Sequence, residues 1–328
     1  MSKKHLAVIG LGGTIAMRPA GSGAVPSLTA EDLVALLPAD ASALVHHVEN
    51  FLQIPGAHLS LDDLVGLASR IRELTVNGEV GGVVVVQGTD TIEETVFALD
   101  ILLAGEAPVV VTGAMRHAGQ VSPDGAANIA NSLYLAASPG AAGRGAMVCF
   151  NDEIHAAWAV QKTAATNLAA FSSPGFGPIG HVIEGQPRFL CESKRWSSVN
   201  GDLDKLLAAR VAIVTASLGE GPDLVDAVAA GDYRGLVVQA TGAGHLPSTW
   251  VAPLAALATK IPVVLATRVS RGPVLSNTYA FEGSESDLLS RGLISAGFLC
   301  ASKARVLLSM ALGAGLQADG IRAMLGTR

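Results

Sequence analysis

The sequence predicts an α/β protein of two domains: a larger N-terminal domain with a mostly parallel sheet flanked by helices, and a smaller C-terminal α/β domain with its own parallel sheet. Three observations carry this prediction. Short valine- and leucine-rich runs alternate with helix-period segments, the pattern of βαβ units. Half of the 328 residues are hydrophobic, 15% are charged and 4% aromatic, with 37 glycines, which suits small-residue helices packed on strands buried on both faces. Glycine- and hydroxyl-rich turns directly follow strand-like runs at three places, Gly12-Gly13-Thr14, Gly88-Thr89-Asp90 and Gly113-Ala114-Met115.

Along the chain, Leu6–Leu11 reads as a buried strand. Thr29–Leu37 reads as a helix, with Thr29 at the N-cap, Glu31 and Asp32 in the first turn and Pro38 just past the end. Leu44–Phe51 reads as a strand, and Ser60-Leu61-Asp62-Asp63, a capping box with Asp in place of Glu, opens a helix running to Asn77-Gly78. Strand Val83–Val86, helix Thr91–Leu103, strand Val109–Thr112, helix Gly125–Ala137 and strand Met147–Phe150 follow. From Phe171 to Asp204 the pattern weakens into short β-like pieces and turns. The expected division is therefore an N-terminal α/β catalytic domain over 1–190, a linker over 191–210 and a C-terminal α/β domain over 211–328. In the last of these, strands at Val211–Ala216, Leu236–Thr241 and Val263–Thr267 alternate with helices at Asp223–Ala230, Ser248–Thr259 and Cys300–Leu312, and a short helix ends the chain. Right-handed crossovers in such sheets put ligands beyond the carboxyl ends of strands, where the strand order reverses.

Several classes of function are screened out. The net charge of −6 and the lack of a lysine/arginine run give no footprint for nucleic acid. No apolar stretch approaches the roughly 18 residues of a membrane span. Lys3 and Lys4 precede an apolar run, Leu6–Leu11, too short for a signal peptide. Cys149, Cys191 and Cys300 are odd in number and far apart, with no C-x-x-C pair, so a reducing, cytoplasmic setting is expected. The dinucleotide fingerprint begun by Gly10 and Gly12 fails at its sixth position, Ile15, and no phosphate-cradling P-loop occurs. There is no G-x-S-x-G elbow and no H-E-x-x-H, and the eight histidines, His46, His47, His58 and His155 among them, form no ligand-like cluster. No cofactor and no metal are expected.

The chemistry-bearing residues each have a plain structural reading. Thr14 fits a turn hydroxyl bonded to nearby backbone, or a nucleophile that glycines bring close to a small substrate. In Gly88-Thr89-Asp90-Thr91-Ile92-Glu93-Glu94-Thr95, both Asp90-x-x-Glu93 and Thr91-x-x-Glu94 match a capping box. Capping accounts for one hydroxyl or carboxylate and leaves the Gly-Thr-Asp-Thr density at a buried strand end unexplained, whereas a helix N-terminus also suits a substrate carboxylate. Lys162 fits a solvated lysine, or a base that relays a proton with Thr89 while Asp90 orients it.

Taken together, Gly12-Gly13-Thr14-Ile15-Ala16, Gln87-Gly88-Thr89-Asp90-Thr91-Ile92-Glu93-Glu94-Thr95, Thr112-Gly113-Ala114-Met115-Arg116, Asn151-Asp152, Lys162-Thr163 and Lys303-Ala304-Arg305-Val306-Leu307-Leu308 resemble the glutaminase-asparaginase family of bacterial L-asparaginases, in order and over nearly the whole chain. The resemblance implies hydrolysis of L-asparagine to L-aspartate and ammonia, and a homotetramer built as a dimer of tight dimers with active sites at the dimer contact. It implies Thr14 as nucleophile on a mobile loop, with Thr89, Asp90 and Lys162 as the triad that orients substrate and moves protons; which threonine attacks first stays open. Gly13, Gly88 and Ala114 are implied in substrate binding, with the backbone amides near Gly88 and Ala114 as oxyanion donors.

The sequence also departs from the family. No tyrosine occurs in residues 17–30, where Gly21-Ser22-Gly23-Ala24 suggests a shorter, flexible lid. Gly56 and Ala57 stand where relatives hold substrate with serine and glutamine, so backbone amides or His58 would have to substitute. Tyr279 or Glu282 stands near the position from which relatives donate an acid across the dimer. Two alternatives therefore remain: a glutaminase or broader amidohydrolase, since one methylene is worth only about 1–3 kcal/mol of discrimination, and a non-catalytic amino-acid-binding homologue.

Overall fold

A computed structural model describes residues 5–20, 23–105, 107–193, 195–199 and 201–326, with the side chains of 18–20 and 23–26 left aside. The chain divides into two compact units, Met1–Ser198 and Val199–Arg328.

In the first unit the elements run β1 (Leu6–Gly10), β2 (Met17–Ala20), β3 (Gly23–Pro26), α1 (Ala30–Ala35), α2 (Ala39–Ser42), β4 (Val45–Asn50), α3 (Leu61–Val76), β5 (Gly82–Val86), α4 (Ile92–Leu102) and β6 (Val109–Thr112). They continue with α5 (Gly125–Ala137), β7 (Ala146–Phe150), β8 (Glu153–Ala156), β9 (Gln161–Lys162), β10 (Phe171–Ser172), β11 (Gly180–Ile183) and β12 (Gln186–Phe189). Eight strands form one sheet in the order β12-β11-β8-β7-β6-β5-β1-β4. From β4 to β7 all neighbours are parallel, and β8, β11 and β12 extend the sheet antiparallel. The parallel strands are apolar runs because helices cover both faces: every residue of β1, β5, β6 and β7 is buried.

The local stop and start signals act as read. Thr29 and Ser60 each cap a helix in a full capping box, with Asp32 and Asp63 returning the bond to the cap amide. The antiparallel margin and the β2–β3 hairpin were not separate expectations from sequence; β9 and β10 are two residues each, too short to show a period. The Gly21-Ser22 part of the expected lid lies outside the described residues.

The strand order fixes where a ligand belongs. The chain passes from β1 to β4 on one side, then resumes with β5, β6 and β7 on the other, so the order reverses between β1 and β5. That crevice beyond the strand carboxyl ends is the binding place in open parallel sheets. The turns after β1 and β5 carry Thr14 and Thr89.

The second unit holds a four-stranded parallel sheet, β13 (Val211–Thr215), β14 (Gly235–Ala240), β15 (Val263–Thr267) and β16 (Ile294–Ser295), in sequential order. Its helices are α6 (Asp223–Ala230), α7 (Ser248–Ala258), α8 (Glu285–Ser290), α9 (Ala301–Gly313) and α10 (Ala318–Leu325). A sequential order has no reversal point, so this sheet lacks the crevice that the first one offers. Helix α8 and the two-residue β16 were not expected from the sequence.

Candidate active site

The site grows out of four turns at the carboxyl edge of the first sheet. After β1, Gly12 and Gly13 adopt φ of +92° and +85°, which l-residues with side chains rarely take. Gly13, with ψ −172°, opens a single 3-10 turn over Thr14–Ala16. A Cβ on Gly12 would stand 2.7 Å from the Ile54 amide nitrogen, and one on Gly13 would be driven into Gly88 Cα and N. A Cβ on Gly88 would meet Gly56 N at 3.0 Å and Gly13 Cα at 3.1 Å, and one on Gly113 would collide with the Gln87 carbonyl. Four glycines thus let the turns at residues 12–14, 54–58, 87–91 and 113–116 touch backbone to backbone. The Gly-Thr and Gly-Gly-Thr turns are legible in the sequence, but their mutual contact is not.

Thr89, buried at 4% exposure, sits in a 3-10 turn over Thr89–Thr91 that leads into α4. Lys162 arrives on β9, 72 residues beyond Asp90. Its Nζ donates to Thr89 Oγ1 at 3.0 Å and to Asp90 Oδ1 at 2.8 Å. The lysine side chain is mostly covered, at 18% exposure, while that of Asp90 is open at 62%. The ammonium therefore bridges a buried hydroxyl and a carboxylate that faces solvent. That geometry allows a proton to pass between the hydroxyl and the amine while the carboxylate holds the amine in place.

The capping reading of this segment is corrected. Thr91 is the N-cap of α4, yet neither it nor Asp90 makes a side-chain cap bond. Asp90 is drawn off by Lys162. Thr91 Oγ1 donates to the Gly56 carbonyl at 3.1 Å and lies 3.3 Å from the Gln87 Nε2 donor. Gln87 Nε2 also donates to the Gly88 carbonyl at 3.2 Å. These bonds tie the 54–58 turn to the Thr89 turn, a role for Gln87 and Thr91 that no local pattern in the sequence signals.

Thr14 is half-buried, and among the described residues its hydroxyl has no hydrogen-bond partner. The turn that carries it is held through Ile15, whose side chain fills the space where Gly125 lacks a Cβ. Gly13, Gly56, Gly88 and Ala114 are buried, whereas Ala57 and His58 are exposed beside them. The Met115 and Arg116 amides are taken by Asp124 at 3.1 and 2.8 Å, and Asn128 donates to the Gly113 carbonyl at 3.0 Å. Among the described residues the Ala114 amide makes no bond within the protein. Cys149, on β7, offers no competing nucleophile, since burial pushes its thiol up to about 12.

Tyr279 and Glu282 belong to the second unit, where both are exposed. Tyr279 meets the His245 ring edge-on at 4.7 Å and Phe281 at 6.1 Å. Beneath them Glu285, fully buried, accepts the Thr278 and Tyr279 amides at 2.9 Å each and lies 3.2 Å from His245 Nε2. Burial alone would raise the Glu285 carboxyl, but the two amides and His245 outweigh it and hold it below the ordinary range. Neither Glu285 nor His245 stood out in the sequence. Among the described residues no three histidine, cysteine or carboxylate groups gather as a metal site, and no helix is long and apolar enough to cross a membrane.

Known proteins are similar to this one over nearly all of the chain. Residues 5–195 match the family described as "Asparaginase, N-terminal" and residues 210–325 match "Glutaminase/Asparaginase C-terminal domain". A "Probable L-asparaginase" of Deinococcus radiodurans is 37% identical over 98% of this chain and 97% of its own length. A "Probable L-asparaginase periplasmic" of Haemophilus influenzae is 30% identical over 94% and 88%. The solved "Probable Cytoplasmic L-asparaginase" of Campylobacter jejuni is 31% identical, covers 98% of this chain and 99% of its own, and superposes with a TM-score of 0.89. With both family domains present in order and relatives matching from end to end, the chain belongs to the glutaminase/asparaginase family of amidohydrolases.

Proposed function

We propose that this chain is an L-asparaginase that hydrolyses L-asparagine to L-aspartate and ammonia, with Thr14 as nucleophile and Thr89, Lys162 and Asp90 as the proton-handling triad. The observation that carries the reading is the Lys162 ammonium held 3.0 Å from Thr89 Oγ1 and 2.8 Å from Asp90 Oδ1, on a turn whose Gly88 packs against Gly13, the residue before Thr14. In the first half-reaction Thr14 Oγ1 bonds to the side-chain carbonyl carbon, the carbon–nitrogen bond breaks, and the hydroxyl proton leaves with the nitrogen as ammonia. In the second, water adds to the acyl ester, one of its protons returns to Thr14, and aspartate departs. Thr89 and Lys162 relay protons in both steps, and Asp90 keeps the lysine directed. The amides near Gly88 and Ala114 stabilise the oxyanion, worth about 3–4 kcal/mol for a well-placed donor.

Gly13, Gly56, Ala57, Gly88 and Ala114 shape the pocket largely with backbone. A pocket so poor in side-chain contacts favours a second reading, in which glutamine is also accepted. Ammonia release by the purified protein from asparagine and from glutamine, compared as kcat/KM, decides between them. Hydrolysis abolished by Thr14→Ala and by Thr89→Val supports the mechanism, and activity retained in both overturns it. Absence of any release would leave an amino-acid-binding homologue.

The same reading makes the active form a homotetramer of tight dimers, with exposed Tyr279 or Glu282 reaching a partner's pocket, and places it in the cytoplasm. Sedimentation and cell fractionation test the assembly and the compartment. Unchanged kcat/KM in a Tyr279→Phe, Glu282→Ala double variant would remove the cross-dimer contact.

A further inference from the structure

The bonds that fix the Lys162 backbone raise a question that the triad alone leaves open. Lysine carries four carbons between Cα and Nζ and about 2 kcal/mol of rotamer entropy, so its ammonium is only as well placed as its backbone. Here that backbone lies on a ladder of two residues per strand, Lys162 opposite Phe171 and Gln161 opposite Ser172. A two-stranded ribbon of this kind does not hold itself in water and needs outside support.

The support comes from the helix that follows the Thr89 turn. Glu93 Oε2 accepts the Lys162 backbone amide at 2.7 Å across 69 residues of sequence. Glu93 lies in the first turn of α4, three residues after Asp90 and four after Thr89. Both partners of the lysine ammonium and the anchor of the lysine backbone therefore ride on one short rigid segment. The second strand of the ladder is tied separately to the main sheet: Ser173, the residue after β10, lies 3.0 Å from Nδ1 of His155, which is fully buried on β8. Thr163 and Ser172 close the ladder with a hydroxyl contact of 3.0 Å.

We infer that Glu93 is a positioning residue of the reaction: its carboxylate sets the Lys162 backbone so that the ammonium meets Thr89 and Asp90 together. A carboxylate suits the task because a charge-assisted bond to an amide is shorter and stronger than a neutral one, and the first turn of a helix favours an anion. This inference rests on the triad reading proposed above.

The test is a double-mutant cycle on the purified full-length protein, read as kcat and KM for ammonia release together with thermal unfolding. Glu93→Ala is expected to lower kcat about 10- to 100-fold, as displacements near 1 Å do, with KM changed less than about threefold. Glu93→Gln keeps a neutral acceptor and is expected to recover most of that loss. In a Lys162→Met background, Glu93→Ala is expected to cost no further activity, because its effect passes through the lysine. Equal losses in both backgrounds, or Glu93→Gln as poor as Glu93→Ala, would overturn the inference. If Glu93→Ala proves too unstable to assay, Glu93→Gln decides alone: a kcat within about tenfold of wild type, with no further loss in the Lys162→Met background, is expected, and an equal loss in both backgrounds would overturn the inference. Lys162→Met that keeps wild-type kcat would instead defeat the triad reading, a result distinct from a dead Lys162→Met with a fully active Glu93→Ala.

Discussion

Substituting Gly13 by alanine tests whether the two threonine turns must touch. Gly13 has φ +85° and ψ −172°, a region open essentially to glycine alone, where another residue costs about 1–3 kcal/mol. The added methyl would be driven into Gly88 Cα and N, and even the third nearest atom, Gln87 C, would lie only 3.0 Å away. Carbon contacts need about 3.5–4.0 Å, so the β1 and β5 turns would have to part, and overpacking of this kind costs a further 1–3 kcal/mol or so. The total of roughly 2–6 kcal/mol would lower Tm by about 2–4 °C for each kcal/mol. A displacement near 1 Å between Thr14 and Thr89 is expected to lower kcat about 100-fold even where the protein stays folded. Gly78→Ala is the control: its φ of +72° carries a similar left-handed strain, but nothing lies within 4 Å of the added methyl. It should lose about 1 kcal/mol and keep its kcat. Ammonia release and thermal melts on the three proteins give the answer. Gly13→Ala with kcat within about threefold of wild type would refute the idea that close backbone approach builds the site.

Other outcomes follow from buried carboxylates. Asp100, only 2% exposed, accepts the Ala146 and Trp196 amides at 3.0 Å each, so Asp100→Ala strands two buried donors and is expected to destabilise the first unit by about 2–5 kcal/mol in urea unfolding; an unchanged midpoint would contradict this. Glu285, with its folded-state carboxyl held below the ordinary range, contributes stability that is present above the unfolded carboxylate value of about 4.3 and is lost as pH falls through its lower folded value. Glu285→Gln should therefore lose less stability than wild type between neutral and strongly acid pH, and parallel urea midpoints across that range would show the account to be wrong.

How much was legible depended on the range of the interaction. Thr29 and Ser60 could be read as caps because cap and partner lie three residues apart, and the buried strands because an apolar run is itself the signal. Asp90 and Thr91 matched the same local pattern and were pulled elsewhere by partners far along the chain, Lys162 and Gly56. A cap bond at a half-open helix start is worth about 1 kcal/mol, and an ion pair with a solvent-facing carboxylate competes on the same scale. Local matching therefore failed where chemistry competed with capping. Lys162 shows the reverse: apart from the family resemblance no local pattern marks its chemistry, and the two-residue strand that carries it has no period to detect.

The glycines join these two cases into one physical argument. Gly12 and Gly13 show a local reason in their positive φ, but Gly56, Gly88 and Gly113 do not, since each is glycine because another turn's backbone occupies the place of its Cβ. A composition rich in glycine shows that close approaches exist without showing which pairs make them. The strand order supplies that missing information: once β1 and β5 are known to flank the reversal of the sheet, their following turns have to meet in the same crevice. The turns that carry Thr14 and Thr89 then meet as a consequence of topology, with the glycines as the condition that lets their backbones come close enough.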